Sequence, residues 1–259
     1  KPGLPAYARA SYFRELSGDR AGAIEAMRFA ASAGGTAESV AYVQTLLGDL
    51  ELGRGRPGAA RAAYRAALTA VPGHPQGSAG LARVRVAGGG LGEAAARLRR
   101  ATERLPLTTS LTLLADVELA AGRRAASAAT LGVVRAQQRL LRAAGAIPDA
   151  ERVLFEADHG APARAVALGR RVWRQAPSVR SADALGWALT RAGRPRDGLR
   201  WARRALRLGS LDPLFRYHAG IAAQAAGQTD EAARDLRIAA VGRAALSPLA
   251  ARRLAEALR

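Results

Sequence analysis

The chain has 259 residues, a formal net charge of +19 at pH 7, 5% aromatic residues and no cysteine. Without cysteine it forms no disulfide, supports no thiol chemistry and builds no Cys-ligated metal site. No apolar run approaches the roughly 20 residues that a bilayer-spanning helix needs. Lys1 is the only lysine, so nearly all the positive charge is arginine. That skew, with abundant Ala and Gly, matches the usage of bacterial chains from GC-rich genomes. The resulting field favours acidic partners over basic ones. No signal peptide is legible. Because the first residue is not Met, we expect the native N-terminus to lie upstream, which leaves the compartment open.

The chain reads as a run of paired amphipathic helices. Turn glycines at Gly18, Gly55, Gly89, Gly122, Gly160, Gly193 and Gly227 are spaced by 37, 34, 33, 38, 33 and 34 residues. Around these turns we expect units over about 4–40, 41–74, 75–107, 108–145, 146–178, 179–212 and 213–246, then a capping helix over 247–259. The first unit follows a lead-in over Lys1–Leu4 and ends at Gly34-Gly35, with Thr36 an N-cap for the next helix. The second unit is closed by Pro72. The third has a loose Gly88-Gly89-Gly90 turn. The fourth carries a second helix longer by about one turn, stopped by Gly145 and Pro148. Pro57, Pro162 and Pro195 each lie two residues past a turn glycine, where a helix accepts proline at its first position. Asp212-Pro213 opens the last pair and Ser247-Pro248 the closing helix. That closing helix is expected to cover the last unit's exposed core.

Within each unit a small residue follows the turn glycine by five: Ala23, Ala60, Ala94, Ser127, Ala165, Gly198 and Ala232. Nine after the glycine stand Met27, Tyr64, Leu98, Leu131 and Leu236, with Gly169 and Ala202 breaking the series. In Leu47–Pro72, the residues Leu47, Gly48, Gly55, Ala60, Tyr64, Ala67 and Pro72 fall at the offsets of one complete motif. The pattern resembles the tetratricopeptide repeat family. The resemblance covers nearly the whole chain. It implies an all-α fold, a right-handed α-α superhelix of about seven helix-turn-helix repeats in a single domain over 1–259. It also implies a non-enzymatic scaffold that binds a protein or peptide partner in a concave groove.

In that family the first helices line the groove. Carried onto this chain, the groove-binding set is Tyr12, Tyr42, Asp49, Arg83, Asp116, Arg180, Asp183, Trp187 and Tyr217. The Lys and Asn residues with which some members clamp a C-terminal carboxylate are missing from these positions, so a carboxylate clamp is not expected. A second feature comes from the residues themselves. Directly after the Met/Tyr/Leu core position stands an arginine in six of seven units: Arg28, Arg65, Arg99, Arg170, Arg203 and Arg237, with Gly132 in the fourth. These should form an outer basic ridge, and they supply the alternative reading, binding of an anionic surface or nucleic acid. A solvated face is the plainer account of such a ridge. It has few aromatics to stack bases, so nucleic acid is the weaker partner.

No catalytic residue, metal site or cofactor is expected. His74, His159 and His218 lie in different units without a second ligand at metal spacing, and read as turn or surface residues. Gly88-Gly89-Gly90-Leu91-Gly92 lacks the Lys-Ser/Thr of a phosphate loop. Finally, the eleventh position of the first units reads Arg14, Glu51, Arg85 and Glu118. The alternating signs suggest a charge ladder that fixes repeat register, failing at Glu156 where the fourth unit is lengthened.

Overall fold

A computed structural model gives the fold and describes residues 3–259. Among these residues there are fifteen α-helices, one 3-10 helix and no strand. The helices pair as α1 (Leu4–Leu16) with α2 (Arg20–Ser32), α3 (Ala37–Gly53) with α4 (Pro57–Ala70), and α5 (Pro75–Ala87) with α6 (Leu91–Arg104). Then come α7 (Thr108–Ala120) with α8 (Arg124–Ala143), α9 (Ala150–His159) with α10 (Pro162–Gln175), α11 (Val179–Arg191) with α12 (Pro195–Ala205), and α13 (Pro213–Ala225) with α14 (Thr229–Val241). A 3-10 turn over Arg243–Ala245 precedes α15 (Pro248–Ala257). The expected lead-in over Lys1–Leu4 falls partly outside the described residues.

Local sequence sets the helix ends. Thr36 Oγ1 accepts the Ser39 amide, and His74 Nδ1 accepts the Gly77 amide, so each caps its helix. Ser178 and Ser181 form a reciprocal capping box at α11. Six of the seven turn glycines have φ between 74° and 81°, the left-handed region that favours glycine. At these six turns the residue after the glycine donates its amide to the carbonyl five residues back. The pairs are Asp19 to Arg14, Arg56 to Glu51, Gly90 to Arg85, Arg123 to Glu118, Arg194 to Leu189 and Gln228 to Ala223, at 2.8–2.9 Å. This is the Schellman closure that satisfies a helix's last carbonyls. The fifth turn departs from it. Gly160 has φ −125°, and the Ala161 amide donates to the Glu156 side chain at 3.1 Å.

The chain divides into two compact units. The first runs to Thr130 and includes Ser210–Asp212 and Val241–Arg252; the second comprises Leu131–Gly209, Pro213–Ala240 and Arg253–Arg259. In the first, the core is seeded by Tyr64, fully buried on α4. A Cβ added at Gly48 of α3 or Gly80 of α5 would stand 2.4 Å or 2.3 Å from the Tyr64 ring. The ring therefore lies flat between two glycine surfaces, locking α3, α4 and α5 together. Leu52, Ala60, Leu81 and Val84 surround it, and Ala244 and Ala245 of the 3-10 turn pack on this cluster. Beside it, Leu98 is packed with Ala79, Ala94, Leu113 and Val117. In the second unit, Leu199 packs with Ala222, Ala223 and Ala232. There the closing helix buries Leu254, and Gln224 donates to the Ala257 carbonyl.

The expected ladder of eleventh-position charges does not form. Arg14 turns to Asp19 and Glu25 of its own pair, and Arg85 turns to Glu93. Glu51 instead pairs with the ridge residue Arg28 at 3.0 Å, and Glu118 with the ridge residue Arg99 at 2.6 Å. The reason is geometric: successive first helices are separated by the second helix between them. The neighbour of an eleventh-position carboxylate is therefore the ridge arginine one unit back. Both carboxylates are nearly inaccessible, with 3% and 2% of their side chains exposed. A buried carboxylate stripped of its cation is costly.

Two outcomes follow for stability, both read from urea unfolding. Gly80→Ala should lose about 1–3 kcal/mol, the usual cost of overpacking. Gly58→Ala, in α4 with open space around its Cβ, should gain about 0.4–1 kcal/mol. The same sign for both would contradict the ring seat. Second, a double-mutant cycle on Arg28 and Glu51 should give a coupling in the lower part of the roughly 0.5–3 kcal/mol range, because Arg28 is largely exposed. The Arg14–Glu51 cycle should give none, and coupling there instead would restore the ladder.

Candidate functional site

In the first unit the expected groove residues lie on the first helices. Asp49 on α3 accepts the Tyr64 hydroxyl at 2.7 Å and an Arg83 guanidinium N–H at 3.1 Å, from α5. Burial, then the Asp49 charge, push the Tyr64 phenol well above its ordinary range, so it is a permanent donor. The core ring thus fixes an Asp49–Arg83 pair that stays partly open to solvent. Tyr42 on α3 is 53% exposed, and Tyr12 and Phe13 on α1 are also exposed. Asp116 on α7, by contrast, is buried.

In the second unit most of the expected groove residues are consumed by packing. Trp187 and Tyr217 are buried, as are Asp183 and His218. His218 Nδ1 donates to both Asp183 carboxylate oxygens, at 3.0 and 2.9 Å. The imidazole stacks on Trp187 with ring centroids 4.3 Å apart. Trp187 Nε1 donates to Asp158 at 3.1 Å, and Arg191 and Arg253 lie 3.7 and 3.8 Å from the same oxygen. This network ties α9, α11 and α13 side by side. His218 is therefore a buried structural residue, not the turn or surface histidine expected. Its signal was the Tyr217-His218 pair at the centre of an apolar helix. Arg180 is exposed at the start of α11, where its charge partly offsets the burial that raises the Glu151 carboxyl.

The outer arginines are less uniform than their spacing suggests. Arg28, Arg99 and Arg203 hold carboxylates, Arg203 through two contacts to Glu231. The Arg203 contact holds the Glu231 carboxyl below its usual range. Arg65, Arg170 and Arg237 are exposed. The neighbouring Arg204 covers Trp173 at 4.7 Å, and that ring meets Trp201 edge-on. Three of the six ridge arginines thus have a structural task.

Sequence reasoning missed one feature. Where the fourth pair joins the fifth, a cavity of about 390 Å³ opens among α8, α9 and α10. It is lined by Arg142, Arg152, Arg164 and Arg171, with Glu156 as the acidic member. An adjoining cavity adds Arg135 and Arg139. The signal was present as coincidence: the extra helical turn, the ridge break at Gly132 and the charge at Glu156 all fall on one join.

No protein-family model matches the chain, and no curated protein sequence does. Among solved structures, a human IFIT1 dimer with PPP-AAAA aligns at 14% identity over 93% of this chain and 70% of that one, with a TM-score of 0.53. A tetratricopeptide repeat protein from Parabacteroides merdae aligns at 12% identity over 98% of both chains, with a TM-score of 0.47. The TPR2AB domain of yeast Sti1, solved with pHSP90, aligns at 13% identity over 98% of this chain and 96% of that one, with a TM-score of 0.41. At these identities the likeness is one of fold. The glycine turns, the small-residue contacts and the Tyr64 seat are those of an all-α helix-turn-helix repeat fold of the tetratricopeptide type.

Proposed function

We propose that the protein is a non-enzymatic interaction scaffold whose first unit binds an extended peptide or partner segment along α1, α3 and α5. Tyr12, Tyr42, Asp49 and Arg83 are the contact residues. The observation that carries this reading is the exposure of the aromatics there. Tyr12, Phe13 and Tyr42 remain open, whereas Trp187 and Tyr217 in the second unit are enclosed by their own neighbours. Tyrosines offer large contact area at little entropic cost and dominate binding surfaces. The Asp49–Arg83 pair, held by Tyr64, supplies a fixed donor and acceptor for a peptide backbone or an acidic side chain. The net charge of +19 would speed encounter with an acidic partner. The outer ridge is the weaker candidate for an anionic surface or nucleic acid, since half of its arginines already hold carboxylates or lie against them.

The test is selection of peptides from a random library on the wild-type protein, followed by affinity measurement on variants. Tyr42→Ala and Arg83→Ala should each weaken the selected peptide about tenfold, near 1.4 kcal/mol, with helicity intact. The ridge variant Arg65→Ala should not. Trp187→Ala is no probe of binding, because its loss empties the core. Equal affinity for wild type, Tyr42→Ala and Arg83→Ala would reject the first-unit face.

A further inference from the structure

The cavity at the join of the fourth and fifth pairs has the features of a built site. It lies wholly in the second unit and is distinct from the face proposed above. Arg142 comes from the last turn of α8, Arg152 from α9, and Arg164 and Arg171 from α10. Seven residues apart, Arg164 and Arg171 lie two turns apart on one face of α10. The ridge rule explains why the cavity exists. In the units before it, the eleventh-position carboxylate is neutralised by the ridge arginine one unit back. Here that arginine is replaced by Gly132, and Glu156 takes its partners from its own helix pair instead. It accepts the Ala161 amide and pairs with Arg164 at 3.0 Å. Among the described residues no carboxylate lies within ion-pair distance of Arg142, Arg152 or Arg171. Burial, then repulsion from Arg142, lowers the Arg152 pKa against the attraction of Glu156 and Asp149, with Arg171 adding least to the lowering.

We propose that this cavity binds a phosphate group. Arg142, Arg152 and Arg171 line one space without an ion pair to a carboxylate, Arg152 partly buried and the other two exposed. A planar guanidinium fork matches phosphate oxygens in pairs, and a doubly charged anion relieves the mutual repulsion. The cavity wall between the arginines is apolar, formed by Leu168 with Ala146, Pro148 and Ala167. A phosphate there is desolvated on one side, which strengthens its ion pairs. Two exposed apolar residues close in sequence to the cavity lining bear on where the phosphate comes from. Leu140 is 71% exposed and Ile147 73%, flanking Arg142 and Pro148 in the chain. Such residues suit the interface of a bilayer that carries phosphate head groups.

The probe is inorganic pyrophosphate, titrated calorimetrically into the full chain at constant ionic strength. Wild type should bind it saturably at one site. The double variant Arg142→Gln, Arg171→Gln should lose at least tenfold in affinity. Arg65→Gln, Arg237→Gln, which removes the same charge from the ridge, should retain wild-type binding. Leu168→Trp fills the cavity without changing charge and should also abolish binding, so the inference stands even if the arginine variant misfolds. Flotation with phosphatidate vesicles then separates the sources: loss on Leu140→Ser, Ile147→Ser assigns a lipid head group, and no vesicle binding assigns a soluble phosphate. Absence of saturable pyrophosphate binding by wild type overturns the proposal. So does equal loss in the ridge variant, or full binding by Leu168→Trp.

Discussion

The ring of Tyr64, pressed between the backbones of Gly48 and Gly80, is the contact on which the first unit depends. Three helices meet at that ring, and no side chain larger than hydrogen fits at either glycine. An aromatic ring is the right wedge because it is rigid and buries a large apolar area for few lost rotamers. Its one polar atom must find a partner when buried, and Asp49 supplies it. That carboxylate also takes Arg83, so the packing of the core determines the position of a charge pair at the surface. Core and candidate contact face are therefore one construction, from the glycine turns to Arg83.

Charge follows a similar logic. A chain with 40 basic and 21 acidic residues cannot neutralise itself, so the placement of its carboxylates decides which arginines are held. Glu51 and Glu118 are set in buried sites next to Arg28 and Arg99, where the ion pair is shielded from solvent on the carboxylate side only. Exposed pairs such as Arg85–Glu93 contribute about 0–1 kcal/mol by comparison. At the fifth turn the pattern is interrupted. There Glu156 substitutes for a backbone carbonyl, the turn glycine leaves the left-handed region, and arginines collect around a cavity.

Much of the fold was legible in the sequence because its determinants are local. The seven turn glycines, the prolines at helix starts and the Thr36 cap act within a few residues, and their spacing repeats. The lengthened α8, with its stop before Gly145, was readable for the same reason. What could not be read was which neighbour each side chain meets. The charge ladder failed because alternation along one position ignores the intervening second helix. Trp187 and Tyr217 occupy family groove positions, yet the bulk of His218 and the Asp158 acceptor turn them into core. Exposure at Tyr12 and enclosure at Trp187, each six residues before its turn glycine, are tertiary outcomes that identical motif positions do not distinguish. The arginine cavity arose from three exceptions to the repeat, each unremarkable when read alone.

The central claim is that partner binding uses the first-helix face of the first unit, while the equivalent face of the second unit serves packing. Hydrogen–deuterium exchange on the full chain, with and without a library-selected peptide, addresses it directly. The account predicts slowed exchange in α1, α3 and α5 on peptide addition, with α9, α11 and α13 unchanged. Protection confined to α9, α11 and α13, with α3 and α5 unaffected, would contradict it.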